Sequence, residues 1–341
     1  MKNRTPYRIG MVFMLAASMG GHLHAQTITK ADNTDDLNLG TSWVGGTAPG
    51  TGNVALWDST VTAANSVSLG ADATWGGIRV DSPGGLVTIG GANTLTLEGS
   101  GINMGSSVGE DLEIDSALAL SANQTWSLGV TRSITVDGDL ALGANTLNTN
   151  VAGTITLNGV ISGSASGNAL FISNNFAGGR VKLTNASNSF TGTIEFSNTS
   201  SQILEYASAG ALGATTQIRF RNTGGSIGNG SVLLYTGTTD ETVTQQLQCD
   251  TSIGMRLQSD SVGGSVTFNG GFLQTNRNLY LEGTGTGDNT LASVFAGTGA
   301  LTKSGTGTWV LTGSNSYSGG TTIGAGTLRL GAPGGGGTGN G

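Results

Sequence analysis

The sequence predicts an all-β chain wound as a parallel β-solenoid. Three observations carry that expectation: short apolar runs that alternate at period two, turn-forming residues every few positions, and internal near-copies of the same segments.

The alternation comes first. Val181/Leu183, Ile194/Phe196, Ile218/Phe220, Val266/Phe268, Leu279/Leu281 and Leu328/Leu330 each place two apolar side chains on one side of an extended segment. Gly, Asn, Ser or Thr bound each run, and these residues accept turn conformations. No stretch after residue 26 sustains apolar residues at i, i+3, i+4 and i+7, so no long helix is expected. Even Leu112, Ile114, Leu118 and Leu120 recur at period two.

Composition agrees. Sixty of the 341 residues are Gly, about 18% against a usual share of about 7%, and only 10% are charged. Disorder pairs low hydrophobicity with high net charge, whereas 36% of this chain is hydrophobic. Pro stands only at 6, 49, 83 and 333. Pro removes a ladder donor, so the Pro-free stretch 84–332 fits strands paired along both edges.

The repeats decide the architecture. GANTL occurs at 91–95 and 143–147, and Thr74-Trp75 recurs as Thr125-Trp126, so 70–150 reads as duplicated blocks with Trp75 and Trp126 in equivalent core positions. Ser187-Asn188-Ser189-Phe190-Thr191-Gly192 follows Leu183-Thr184, and Ser314-Asn315-Ser316-Tyr317-Ser318-Gly319 follows Leu311-Thr312. A unit this short buries its apolar face only by stacking on a like neighbour. Sandwich strands also come short and regularly turned, but they are not near-copies of one another. Coils of about 20–25 residues give roughly 12–15 coils in all. Trp43 and Trp57, near the start, are expected to cap the first coil, and Cys249 to sit in the core.

Residues 1–25 read as a secretion signal. Lys2, Arg4 and Arg8 precede the apolar run Ile9 to Gly21, and Leu23-His24-Ala25 is a plausible cleavage site. The run is too short for a spanning helix. Without it the chain carries 11 basic and 21 acidic residues, a net charge of −10. That balance argues against nucleic acid as a partner. Both histidines, His22 and His24, leave with the signal, and the single Cys249 precludes an internal disulfide.

Little chemistry is then expected. Without His, Ser-His-Asp and Cys-His sites and His-ligated metals are excluded. The carboxylates Glu110, Asp111, Glu113 and Asp115, and Asp137 with Asp139, are the candidates for Ca²⁺ binding or paired acid catalysis in a groove. A solvated acidic edge explains them as well. Arg219 and Arg221 share one strand side and read as an exposed edge. No catalytic, cofactor or metal residue is assigned.

Residues 297–331 carry Leu301-Thr302-Lys303, Gly305-Thr306-Gly307, Leu311-Thr312-Gly313, Asn315, Tyr317, Gly319-Gly320-Thr321-Thr322, Gly326-Thr327-Leu328 and Leu330. This segment resembles the autotransporter-associated β-strand repeat, also called the passenger-associated transport repeat. A degenerate copy spans about 181–196. Trp43, Gly45-Gly46, Pro49, Gly50, Asn53 and Trp57-Asp58 resemble the opening of large secreted proteins with this repeat. The resemblance implies a right-handed parallel β-helix, pectin-lyase-like in architecture and without an evident active site. It also implies an exported passenger at the outer membrane or outside the cell, with repeats that assist export, and it carries no catalytic residues.

The expected organisation is a signal at 1–25, a solenoid at 26–331 and a Gly-rich tail at 332–341. No translocator barrel stands within this sequence, which leaves a fragment and another exit route both open. The expected function is non-catalytic and structural or adhesive. Its partners would be a surface or extracellular polysaccharide and an outer-membrane translocator. The alternatives are a carbohydrate-active or carbohydrate-binding β-helix and a Ca²⁺-stabilised repeat protein.

Overall fold

Each alternating run pairs in parallel with a run one coil away, and the inward side chains of successive coils stack in columns. The computed structural model describes residues 25–105, 109–129, 131–173, 178–197, 200–221, 230–250, 253–273 and 276–331. Residues 1–24 of the signal expected at 1–25, and the tail expected at 332–341, lie outside these residues. Among them, helical structure is confined to two 3₁₀ turns, Gly40–Ser42 and Ala209–Leu212.

The chain forms a β-solenoid with three faces to each coil. Face 1 is a parallel sheet of twelve strands running from Asn65–Ser68 to Thr321–Ile323. Register partners on it are 20 residues apart at the shortest (Lys303 to Ile323) and 29 at the longest (Glu205 to Leu234). Twelve coils stand at the lower end of the sequence expectation. At about 4.8 Å per step the stack is about 53 Å long.

Face 2 carries Leu118, Leu140 and Ile161 in one column and later the five-stranded sheet from Glu241–Val243 to Thr327–Leu330. Face 3 carries a core column of nine residues. It runs Ala55, Ile78, Ile102, Trp126, Thr149, Ile172, Phe196, Phe220, Cys249, one residue per coil. Every member is buried, and the Phe196 and Phe220 rings stack with centroids 4.8 Å apart. Cys249 therefore occupies the core, as its isolation in the sequence led us to expect.

The apparent duplication within 70–150 is not a duplication in space. Trp75 pairs with Leu97, whereas Trp126 pairs with Ile102 and Thr149 in a different column. Strands Ala73–Asp81 and Thr94–Met104 are long enough to run through faces 2 and 3 together. In the next coil the turn at 121–123 divides that path into Ala117–Leu120 and Gln124–Leu128. Both Trp side chains are buried, but from positions that are not equivalent.

The two ends differ. At the N-terminal end, residues 30–46 double back along the outer edge of Thr27–Thr29, and Val44 N–H donates to Thr29 O at 2.9 Å. Trp43 fills the space beneath. Its ring lies 5.6 Å from Trp57 and 5.8 Å from Trp75, and its Nε1 donates to Leu37 O at 2.8 Å. This cap covers a strand edge that would otherwise template pairing with another chain. Trp57 sits in the core just behind it. At the other end of the described residues, Thr321–Ile323 and Thr327–Leu330 have ladder partners on one side, and Ile323 is 55% exposed.

Candidate functional site

Four of the six acidic candidates, Asp111, Glu113, Asp137 and Asp139, hold coils together. Asp111 accepts from Ser133 N–H at 2.8 Å and Asp139 from Val160 N–H at 2.8 Å. Asp137 accepts from Asn158 Nδ2 at 2.6 Å, and Glu113 from Thr88 Oγ1 at 3.4 Å. Each bond joins neighbouring coils. Asp72, Asp240 and Asp260 repeat the device on Thr94, Ser265 and Thr284 N–H. Coil corners leave backbone N–H groups without a ladder partner, and a short carboxylate one coil away supplies the acceptor. Among the described residues no group of three His, Cys, Asp or Glu side chains could hold a metal ion.

The repeated Ser-Asn-Ser-aromatic motif has the same logic. Asn188 Oδ1 accepts from Ile161 N–H at 2.7 Å, and Asn315 Oδ1 accepts from Phe295 N–H at 2.8 Å. Each Asn reaches the preceding coil. Two residues on, Phe190 is buried and Tyr317 packs against the core rim, 5.0 Å from the Phe295 ring. The two copies recognised by pattern are thus one stacking device used twice.

The Leu301-Thr302-Lys303 segment holds a feature that pattern alone did not reveal. Lys303 follows Leu257 and Leu281 in an inward column and is fully buried. Its ammonium donates to Ser304 O at 2.7 Å, Gly305 O at 2.8 Å and Ala325 O at 3.2 Å. Three carbonyls satisfy its three donors. Gly326 lets the next coil approach: its φ is +70°, and a Cβ there would lie 2.4 Å from Gly305 O and 2.8 Å from Lys303 Nζ. Burial lowers the Lys303 pKa from its ordinary 10.5, with Glu282 opposing. Lys30 mirrors this at the capped end. It is fully buried and donates to Ala31 O, Asn33 O and Asn33 Oδ1 at 2.8–2.9 Å.

Arg219 and Arg221 do not lie on an edge. Strand Gln217–Phe220, which carries Arg219 and leads directly into Arg221, sits between Thr191–Phe196 and Gln246–Cys249, and its outward side faces two acids. Arg219 lies 3.3 Å from Glu195 and 3.4 Å from Asp250; Arg221 lies 3.4 Å and 3.6 Å from the same pair. A second cluster on face 1 joins Glu205 to Lys182 at 3.1 Å and to Arg180. Burial pushes the Glu205 pKa up, but hydrogen bonds and charge from Lys182 and Arg180 outweigh it and hold the carboxyl below its usual range. All five Trp side chains are buried, so none is available to stack on a ligand.

Comparison with known proteins places the final coils. Residues 301–330 match the passenger-associated-transport-repeat family. Over 115 residues the chain is 41% identical to the adhesin BmaC autotransporter of Brucella suis biovar 1 (strain 1330), a match covering 31% of this chain and 3% of that protein. The chain thus matches a small part of that relative's length. No solved structure matches.

Proposed function

We propose, for a chain that carries the passenger-associated transport repeat in its final described coils, a role as a non-catalytic solenoid passenger exported to the bacterial surface. The signal at 1–25 directs the chain out of the cytoplasm, and the repeat assists passage across the outer membrane through a translocator. The exposed faces then serve adhesion. The observation that carries this reading is the repeat itself, stacked in register on the coil before it through Leu279↔Leu301 and Asn289↔Trp309. A solenoid suits export because each coil contacts its neighbours and can fold on the one already formed.

Three observations support the non-catalytic part. The sequence without residues 1–25 has no His, four of the six clustered acids join coils, and the Arg pair is matched by carboxylates. The test is deletion of 301–330 in an expressing host. Surface protease accessibility of the passenger should fall several-fold while the amount beyond the inner membrane is kept. Unchanged surface accessibility would refute the export role. N-terminal sequencing of the exported protein should begin at Gln26, and incubation with polysaccharides should release no new reducing ends.

A further inference from the structure

Face 3 carries a shallow polar groove on its outer side, with a volume of about 400 Å³. It is lined by Asn123, Thr125, Thr146, Asn148, Asn168 and Phe171 among others, and no charged side chain takes part. We propose that this groove binds an uncharged linear polysaccharide, lying along the solenoid axis. The proposal rests on the adhesive reading above and names the ligand class and the surface that would take it.

Four features point to this ligand. The lining is amide and hydroxyl, which offers donors and acceptors together, as the vicinal hydroxyls of a sugar require. Phe171 stands in the outward column between Asn148 and Glu195, half-buried, and presents an apolar surface to the C–H face of a pyranose ring. The column repeats at about 4.8 Å per coil, close to the length of one sugar residue, so successive coils can meet successive units. The groove also lies open, which suits a polymer passing through better than a small molecule enclosed.

The site is ordered before any ligand arrives. Asn148 is held from both sides: its Nδ2 donates to Thr125 Oγ1 at 3.2 Å, and its Oδ1 accepts from Ser173 Oγ at 2.6 Å. Asn123 Oδ1 accepts from Thr146 N–H at 2.9 Å, and Thr146 Oγ1 donates to Asn168 O at 2.6 Å. Asn168 lies where strand Ser164–Ile172 shifts register against Thr191–Phe196, and such bulges re-aim side chains beside functional surfaces. Fixed polar groups lose little entropy on binding.

The experiment uses the purified exported chain against insoluble cellulose, chitin and mannan, with polygalacturonate as an anionic control. Retention on at least one neutral polymer is expected. Phe171→Ala should weaken it about tenfold, equivalent to ~1.4 kcal/mol, while Phe171→Tyr retains it, and Asn148→Ala should act in the same direction. Circular dichroism and the Tm of each variant separate lost binding from lost folding. Retention on the anionic control alone, retention on none of the polymers, or retention unchanged in folded Phe171→Ala and Asn148→Ala would overturn the site. Cells displaying the chain distinguish the two levels. Attachment that survives both substitutions leaves adhesion standing and removes the groove, whereas no attachment by the parent chain removes adhesion itself.

Discussion

Lys303 reaches out of its own coil to donate a hydrogen bond to Ala325 O, so the ammonium ties the repeat to the turn that follows it. A buried cation is costly unless its donors are matched. Here Ser304, Gly305 and Ala325 match all three. Lys303→Ala removes the donor and leaves a cavity, and should cost about 3–5 kcal/mol. Lys303→Met keeps most of the volume and should cost about 1–3 kcal/mol. Urea unfolding of the three proteins checks the order.

The same residue predicts a pH dependence. Burial lowers the folded-state pKa below the ordinary 10.5. Between that lowered value and 10.5 the unfolded chain binds more protons than the folded one, so this group's contribution to stability rises with pH. The Tm difference between the parent chain and Lys303→Met should therefore move in the parent's favour as pH climbs through that window. Taking the difference removes the opposing effect of the buried tyrosines, Tyr206 and Tyr235, whose raised pKa values act in both proteins. A difference that stays flat to pH 10.5 would mean that Lys303 is not buried as a cation.

Trp43→Ala should cost about 3–5 kcal/mol, because the side chain packs between Trp57 and Trp75 and its N–H bond to Leu37 is lost. The loosened cap would also uncover the edge of Thr27–Thr29. Light scattering should then show more self-association than for a core variant of equal cost.

Gly138→Ala should destabilise by about 1–3 kcal/mol. A Cβ at Gly138 would lie 2.1 Å from Ser116 O, and one at Gly159 would lie 2.1 Å from Gly138 O, so three coils meet backbone to backbone at this corner. Gly109→Ala meets nothing within 4 Å and should change stability by less than about 0.5 kcal/mol.

Asp139→Ala should cost about 1 kcal/mol through the orphaned Val160 N–H, while Asp139→Asn keeps an acceptor and should be nearly neutral. A metal site would respond differently, losing stability in both variants and in the chelator EDTA. The Tm in EDTA and in excess Ca²⁺ should coincide.

The solenoid was legible because stacking demands it: inward residues at period two, small turn residues and near-copies of one segment all follow from a single repeated contact. The Asn188 and Asn315 device was legible as a motif before its hydrogen bonds were visible. Other features were hidden for physical reasons. Val232–Tyr235 is buried on both sides, and Leu170-Phe171-Ile172 is apolar throughout, so alternation could not tell which side faces out. That concealed Phe171. The acids looked like clusters because Asp111 stands among Glu110, Glu113 and Asp115, and Asp137 beside Asp139, whereas Asp111 and Asp139 accept from backbone N–H groups and Asp137 from the Asn158 side-chain amide, each one coil away. Trp75 and Trp126 appeared equivalent because an offset of 51 is close to two coils, and only the division of the long strands separates them. Lys303, a charge among leucines, was the least expected core residue.

Coils that are joined mainly to their neighbours also respond to force in a particular way. Pulled along the axis, the stack gives way at one interface at a time, and each released coil of 20 to 29 residues yields roughly 65–100 Å of slack. A cell tethered by such a chain would meet tension with successive small yields instead of a single rupture.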